Sequence, residues 1–206
     1  MEGNQSLEVM GEELTYPIGI DLGLSVKWSD RNLGASSPED YGKYFAWGEI
    51  EPKVSYDLGN YHISDNISEL EHLNIIDGLK NLHGTYDAAV TNLGKPWRMP
   101  TMKEVQELSN KCNWKFTEKN GLKGYEIYGV NNNSIFLPAI GYLSGTSLRM
   151  ENSHLLYWSS TLCPMQTSYC AYILFAYLSQ SNVTYYNRCF GLPIRPVIDV
   201  SSIREK

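Results

Sequence analysis

Cys112, Cys163, Cys170 and Cys189 are the most reactive side chains of this 206-residue sequence, and the last three crowd one C-terminal stretch. They have neither CxxC spacing nor histidine partners, which argues against zinc. Four cysteines do not make a disulfide scaffold at this length, although one bridge among the C-terminal three stays open. Cys112 lies on a helical pattern and reads as a buried thiol. His62, His72 and His83 are spaced ten and eleven residues apart. That fits no metal motif, so they read as surface residues or as part of a helix's polar face. His154 stands alone, and a lone histidine is more often simply hydrogen-bonded. Glu49 and Glu51 could pair for acid–base work, but ordinary surface charge explains them better. There is no glycine-rich phosphate loop, no nucleophile elbow and no Ser–His–acid set. No catalytic residue, metal ligand or cofactor is expected.

What does stand out is Tyr157–Val197. Between Leu162 and Phe190 it contains no Asp, Glu, Lys or His, and its one charge is Arg188. Tyr169, Tyr172, Tyr177, Tyr185 and Tyr186 are concentrated there. A pair of buried strands would explain this, because Tyr, Phe, Ile, Val and Thr suit a pleated, half-buried surface. So would a recognition face. Tyr supplies large rigid area at low entropy cost, while Ser and Asn adapt their hydrogen bonds. Alternation does not separate the two, since both faces of Tyr172–Phe175 are apolar. Composition alone favours burial.

These residues need a scaffold, and the chain is long enough to bury a full core as one domain. A hydrophobic content of 42% with 19% charged residues is that of an ordinary globule. The net charge of −6 argues against binding a nucleic-acid backbone. No apolar run approaches membrane-spanning length. Residues 1–16 read as a flexible lead-in with no export signal in Met1–Thr15, residues 17–200 as the domain, and residues 201–206 as a polar tail.

Ile18–Trp28 and Tyr41–Glu49 read as strands, with a turn-rich loop over Asn32–Pro38 between them. A short helix is expected within Ile67–Leu82 and another over Thr85–Asn92, capped by Thr85 and stopped at Gly94. The clearest helix follows Trp97-Arg98-Met99-Pro100. Thr101 and Glu104 form a capping box, and Val105, Leu108 and Cys112 share one face. Lys111 suits the negative end of the helix dipole. Trp114–Thr117, Gly124–Tyr128 and Ser134–Pro138 read as short strands, with turn signals at Lys119-Asn120-Gly121 and Asn131-Asn132-Asn133. Ala139–Ser153 reads as a surface loop. Ile194–Val200 is the terminal strand, with Pro196 marking an edge or an irregular ladder.

Several motifs together carry a resemblance. They are Ile20-Asp21-Leu22-Gly23-Leu24-Ser25-Val26-Lys27-Trp28, Asn32 to Gly42 (NLGASSPEDYG), Tyr44-Phe45-Ala46-Trp47-Gly48-Glu49 and Trp97-Arg98-Met99-Pro100-Thr101. To these add Asn133 to Ala139 (NSIFLPA), Tyr157-Trp158-Ser159-Ser160 and Arg195-Pro196-Val197. The set resembles the major paralogous domain of Fibrobacter and Bacteroidetes proteins, over about Ile18 to Val200. The resemblance implies an α+β, C-type-lectin-like fold of the formylglycine-generating-enzyme type, with short irregular strands and two or so helices. It implies that Trp158, Arg98 and Arg195 are structural, and that Ile18–Trp28 pairs with Ile194–Val200.

The family includes variable proteins of diversity-generating retroelements, in which adenine-directed rewriting randomises asparagine codons near the gene's end. Leu162–Phe190 agrees in lacking Lys, Glu and Trp, with Met165, Gln166 and Gln180 then constant. The resemblance thus favours the recognition face: a non-enzymatic ligand- or receptor-binding surface made by Tyr169, Cys170, Tyr172, Ile173, Phe175, Tyr177, Thr184, Tyr185, Tyr186, Asn187, Cys189 and Phe190. The implied partner is a protein or glycan on another cell or surface, and the implied carrier is a cell surface or a phage particle. An oligomer is compatible with this reading. The alternatives are an undiversified adhesin or lipoprotein module of the same fold, and a copper-dependent oxidase drawing on Cys163, Cys170 or Cys189. A calcium-dependent sugar lectin is disfavoured, because Trp158-Ser159-Ser160 replaces the Trp-Asn-Asp signature.

Overall fold

Ile18–Trp28 is not one strand but a hairpin. In the computed structural model, which describes residues 16–164, 169–178 and 180–200, β1 (Gly19–Asp21) pairs antiparallel with β2 (Val26–Ser29). The chain reverses at Gly23, whose φ of 72° is a conformation glycine adopts without strain, and whose N–H donates to Asp21 Oδ1. The lead-in before Tyr16, the tail after Val200, and Met165 and Gln166 lie outside the described residues. Tyr41–Glu49 shrinks to the two-residue strand β3 (Tyr44–Phe45). Gly42 and Gly48 both have positive φ, so extended structure cannot run through them, and Ala46 and Trp47 are buried in a turn instead.

Three short helices follow. The first, α1 (Ile67–His72), is capped by Asn66. The second, α2 (Ala88–Leu93), is capped by Asp87 rather than Thr85, which lies in the preceding 3-10 turn. Asp87 wins because its buried carboxylate accepts from three backbone donors, Ala89, Val90 and Met99. Gly94 ends the helix as expected. The third, α3 (Met102–Lys111), carries the expected reciprocal capping box of Thr101 and Glu104, with Val105 and Leu108 buried.

A meander comes next: β4 (Asn113–Lys119), β5 (Leu122–Tyr128) and β6 (Ser134–Pro138), all antiparallel. Asn120 and Gly121 make the first turn, both with positive φ, as a two-residue hairpin requires. The Ala139–Ser153 segment is not a plain surface loop. Ala139 and Ile140 are fully buried, and β7 (Tyr142–Ser144) pairs with β8 (Ser147–Arg149). The segment is tied down by Tyr44 Oη donating to Ile140 O and by Asn152 N donating to Ala139 O.

The central sheet is β9 (His154–Leu162), β10 (Cys170–Tyr177) and β11 (Gln180–Asn187), antiparallel with β10 in the middle. Successive side chains point to opposite sides, and both sides are apolar. Leu155, Tyr157, Leu174 and Ala176 join α3 in one core; Leu156, Trp158, Ala171 and Ile173 join Trp47, Leu70 and Ile194 in the other. Thus the sheet divides two cores, which is why β9 and β10 read as continuous apolar runs. The outer edge of β9 is covered, with Leu82 N donating to Ser160 O and Ser160 N to Pro100 O.

Finally β12 (Leu192–Pro193) pairs with β3, and β13 (Val197–Asp199) pairs with β2, Val197 lying opposite Trp28. The expected pairing of the domain's two ends is present. Past Pro196 the ladder is irregular: Val197 also exchanges both backbone hydrogen bonds with Arg98. The architecture is α+β, with several small antiparallel sheets around short helices.

Candidate recognition face

The expected structural residues act as anchors. Trp158 is fully buried and its Nε1–H donates to Phe45 O at 2.8 Å. Arg195 is buried and donates to Ser29 O and Phe136 O, tying β2 to β6. Burial lowers its pKa. Arg98 is partly exposed, and its guanidinium grips both oxygens of Glu104 and also Asp199. The hydrogen bonds to Glu104 are the largest cause of its raised pKa.

Arg188, the one charge of the tyrosine-rich stretch, is also buried. Its guanidinium carbon lies 5.4 Å from the Trp47 ring and 5.5 Å from the Tyr61 ring, and Nη2 donates to Ser64 O. Nε and Nη1 have no hydrogen-bond partner. The two rings and the charge of Asp65 offset part of the cost of burial, although desolvation still lowers its pKa.

The twelve expected ligand-binding residues do not share one face. Ile173 is fully buried between β9 and β11 and belongs to the core. Cys189 is 2% exposed, in the turn after Arg188. Neither can touch a ligand, so both are corrected to structural positions. The remaining strand residues divide by alternation. Phe175, Tyr177, Thr184 and Tyr186 share one side of the strand pair. Cys170, Tyr172, Tyr185 and Asn187 share the other, with Tyr172 opposite Tyr185 and Cys170 opposite Asn187. Tyr169 is exposed just before β10, and Phe190 is half-buried after β11.

The first side carries two groups of rings, which include Tyr142 and His154 from outside the twelve. Tyr142, Tyr186 and Phe190 meet in a three-ring cluster with centroids 5.0 to 5.5 Å apart. Burial is the chief reason the Tyr186 hydroxyl is held far above its ordinary pKa, with a contribution from the Tyr142 hydroxyl. His154 stacks on Tyr177 at 4.3 Å and tilts against Phe175 at 5.7 Å. Gly141 N donates to His154 O, which ties the start of β7 to β9. Tyr142 is missing from the expected residues because Ala139–Ser153, rich in Gly and Ser, reads as a surface loop. The usable signal was an aromatic residue directly after Gly141.

The other chemistry-bearing residues stay apart. His62, His72 and His83 are exposed, and no group of three or more His, Cys, Asp or Glu side chains is placed to hold a metal among the described residues. Glu49 forms an ion pair with Lys53 at 2.8 Å instead of facing Glu51. No helix among the described residues is long and apolar enough to cross a membrane. Comparison with family models, with curated proteins and with solved structures returned no match.

Proposed function

We propose that this chain is a non-enzymatic recognition protein of C-type-lectin-like fold, which binds a protein or glycan through the aromatic surface of Tyr142, His154, Phe175, Tyr177, Tyr186 and Phe190. The observation that carries the reading is that these rings are partly exposed while Ala171, Ile173, Leu174 and Ala176 of β10 are buried in two cores. Rings that contact water on a paired-strand backbone suit binding: a few aromatic anchors carry most of an interface's energy, and a support already paired lowers the ordering cost. The pairing of β2 with β13, and short strands joined by irregular hydrogen-bonded loops, support the fold assignment.

The same pattern supports diversification by a retroelement. Phe175, Tyr177, Thr184 and Tyr186, on the ring-bearing side of the strand pair, each keep some contact with solvent, unlike the sealed core residues beside them. Sequencing the locus in related isolates tests this. Substitutions should concentrate at these partly exposed positions and spare Ala171, Ile173, Leu174 and Ala176. An adenine-rich near-copy and a reverse-transcriptase gene should lie beside the locus. Substitutions spread evenly over buried and exposed positions would overturn it, and an invariant stretch would favour an undiversified adhesin.

A further inference from the structure

Cys163 and Cys170 face each other at the connected end of β9 and β10. Leu162 pairs with Ala171, so one step further along the same register sets Cys163 against Cys170, and Cys163 N donates to Cys170 O at 3.0 Å. A hydrogen-bonded antiparallel pair holds its Cα atoms about 5.5 Å apart, within the roughly 4.4 to 6.8 Å that a disulfide spans. Directly opposed residues project to the same side. Tyr172, two residues beyond Cys170 and on its side of the strand, has its pKa raised by burial first and by the neighbouring Cys163 thiol second.

We propose that Cys163 and Cys170 are a modification site that closes to a cross-strand disulfide by exchange with a small external disulfide such as oxidised glutathione. Cys170 is half-buried and Cys163 only 1% exposed. Their accessibilities fix the order of events. The Cys170 thiolate attacks the donor's S–S bond, forms a mixed disulfide and expels one glutathione thiolate. Cys163 gives up its proton and displaces the second glutathione from Cys170, a step inside the sheet that needs no access from solvent. Two protein thiols are oxidised, and one donor disulfide is reduced to two thiols.

The bridge would close an eight-residue ring from Cys163 to Cys170, immediately before which Tyr169 is exposed. At that Cα separation of about 5.5 Å the bond fits the sheet, and its half-buried Cys170 end stays open to attack by a reducing thiol. That is the behaviour of a reversible cross-link.

The test equilibrates the full chain in a glutathione buffer containing the oxidised form, then acid-quenches, unfolds, alkylates and digests it for mass spectrometry. The expected result is joint loss of alkylation at Cys163 and Cys170, with one linked peptide that disappears on reduction by dithiothreitol. Cys112 and Cys189 should stay alkylatable. Burial pushes the Cys112 thiol up to about 11 and also raises that of Cys189. Cys163→Ser should trap glutathione on Cys170, whereas Cys170→Ser should leave Cys163 unmodified. A link from Cys170 to Cys189, or all four thiols alkylated alike in the oxidising buffer, overturns the proposal. So does glutathione on Cys163 in Cys170→Ser. If Cys163→Ser does not fold, the wild-type linkage map and Cys170→Ser still decide the matter.

Discussion

The His154 imidazole lies flat on the Tyr177 phenol, with ring centroids 4.3 Å apart and planes 11° from parallel. The two residues are directly opposed across β9 and β10, so the strand register itself creates the stack. His154 is half-buried, its Nδ1 is 2.9 Å from Ser153 Oγ, and burial lowers its pKa.

A lowered folded pKa means that the unfolded chain binds the proton more readily. Stability should therefore be complete above the ordinary histidine value of about 6.5 and fall as the pH drops through the lower, folded value. His154→Phe keeps a ring for stacking and removes the titration. Melting curves across mildly acidic pH should show a smaller loss in the variant than in the wild type. Parallel curves would refute the assignment.

Tyr185 and Tyr186 are adjacent in sequence but sit on opposite sides of β11. Tyr185 is 39% exposed, while Tyr186 packs edge-on against Tyr142 and beside Phe190. Tyr185→Ala should change stability by less than about 0.5 kcal/mol. Tyr186→Ala should cost about 1 to 2 kcal/mol, less than a fully buried aromatic. Urea midpoints of the two variants measure the difference, and equal values would place the two rings in equivalent surroundings.

Arg188 is held by two aromatic rings and one carbonyl, with two of its nitrogens unpartnered. Burying a charge with incomplete compensation is costly, and an apolar side chain of similar length often serves as well. Arg188→Met is expected to stay within about 1 kcal/mol of wild type, while Arg188→Ala, which opens a cavity beside Trp47, should lose more than about 2 kcal/mol. Denaturant unfolding decides between this and a charge essential to the fold, for which both variants would be crippled.

The two strong helix caps should differ in worth. Thr101 accepts one hydrogen bond, from Glu104 N at 3.4 Å, whereas buried Asp87 satisfies three backbone donors. Thr101→Ala is expected to cost about 1 kcal/mol. Asp87→Ala orphans three N–H groups and should cost about 3 kcal/mol or more. Thermal unfolding that ranks them in the opposite order would contradict the burial argument.

Sequence by itself determined whatever depends on neighbours a few residues away. The capping box at Thr101 and Glu104, the stop at Gly94 and the turn at Asn120-Gly121 are local hydrogen-bond and dihedral requirements, and each is where it was expected. It also showed that Leu162–Phe190 lacks acidic side chains and lysine. Which tyrosines touch water was not written there. β10 has core on both sides, so its period-two pattern is masked and Ile173 looks no different from Phe175. Only the tertiary structure decided that one is sealed in and the other reaches the rim. It alone brought Tyr142 to Tyr186, and Cys163 to Cys170. Those meetings depend on strand register, including the irregularity between Ala171 and Ile173, and register is a relation between distant segments that no single segment encodes.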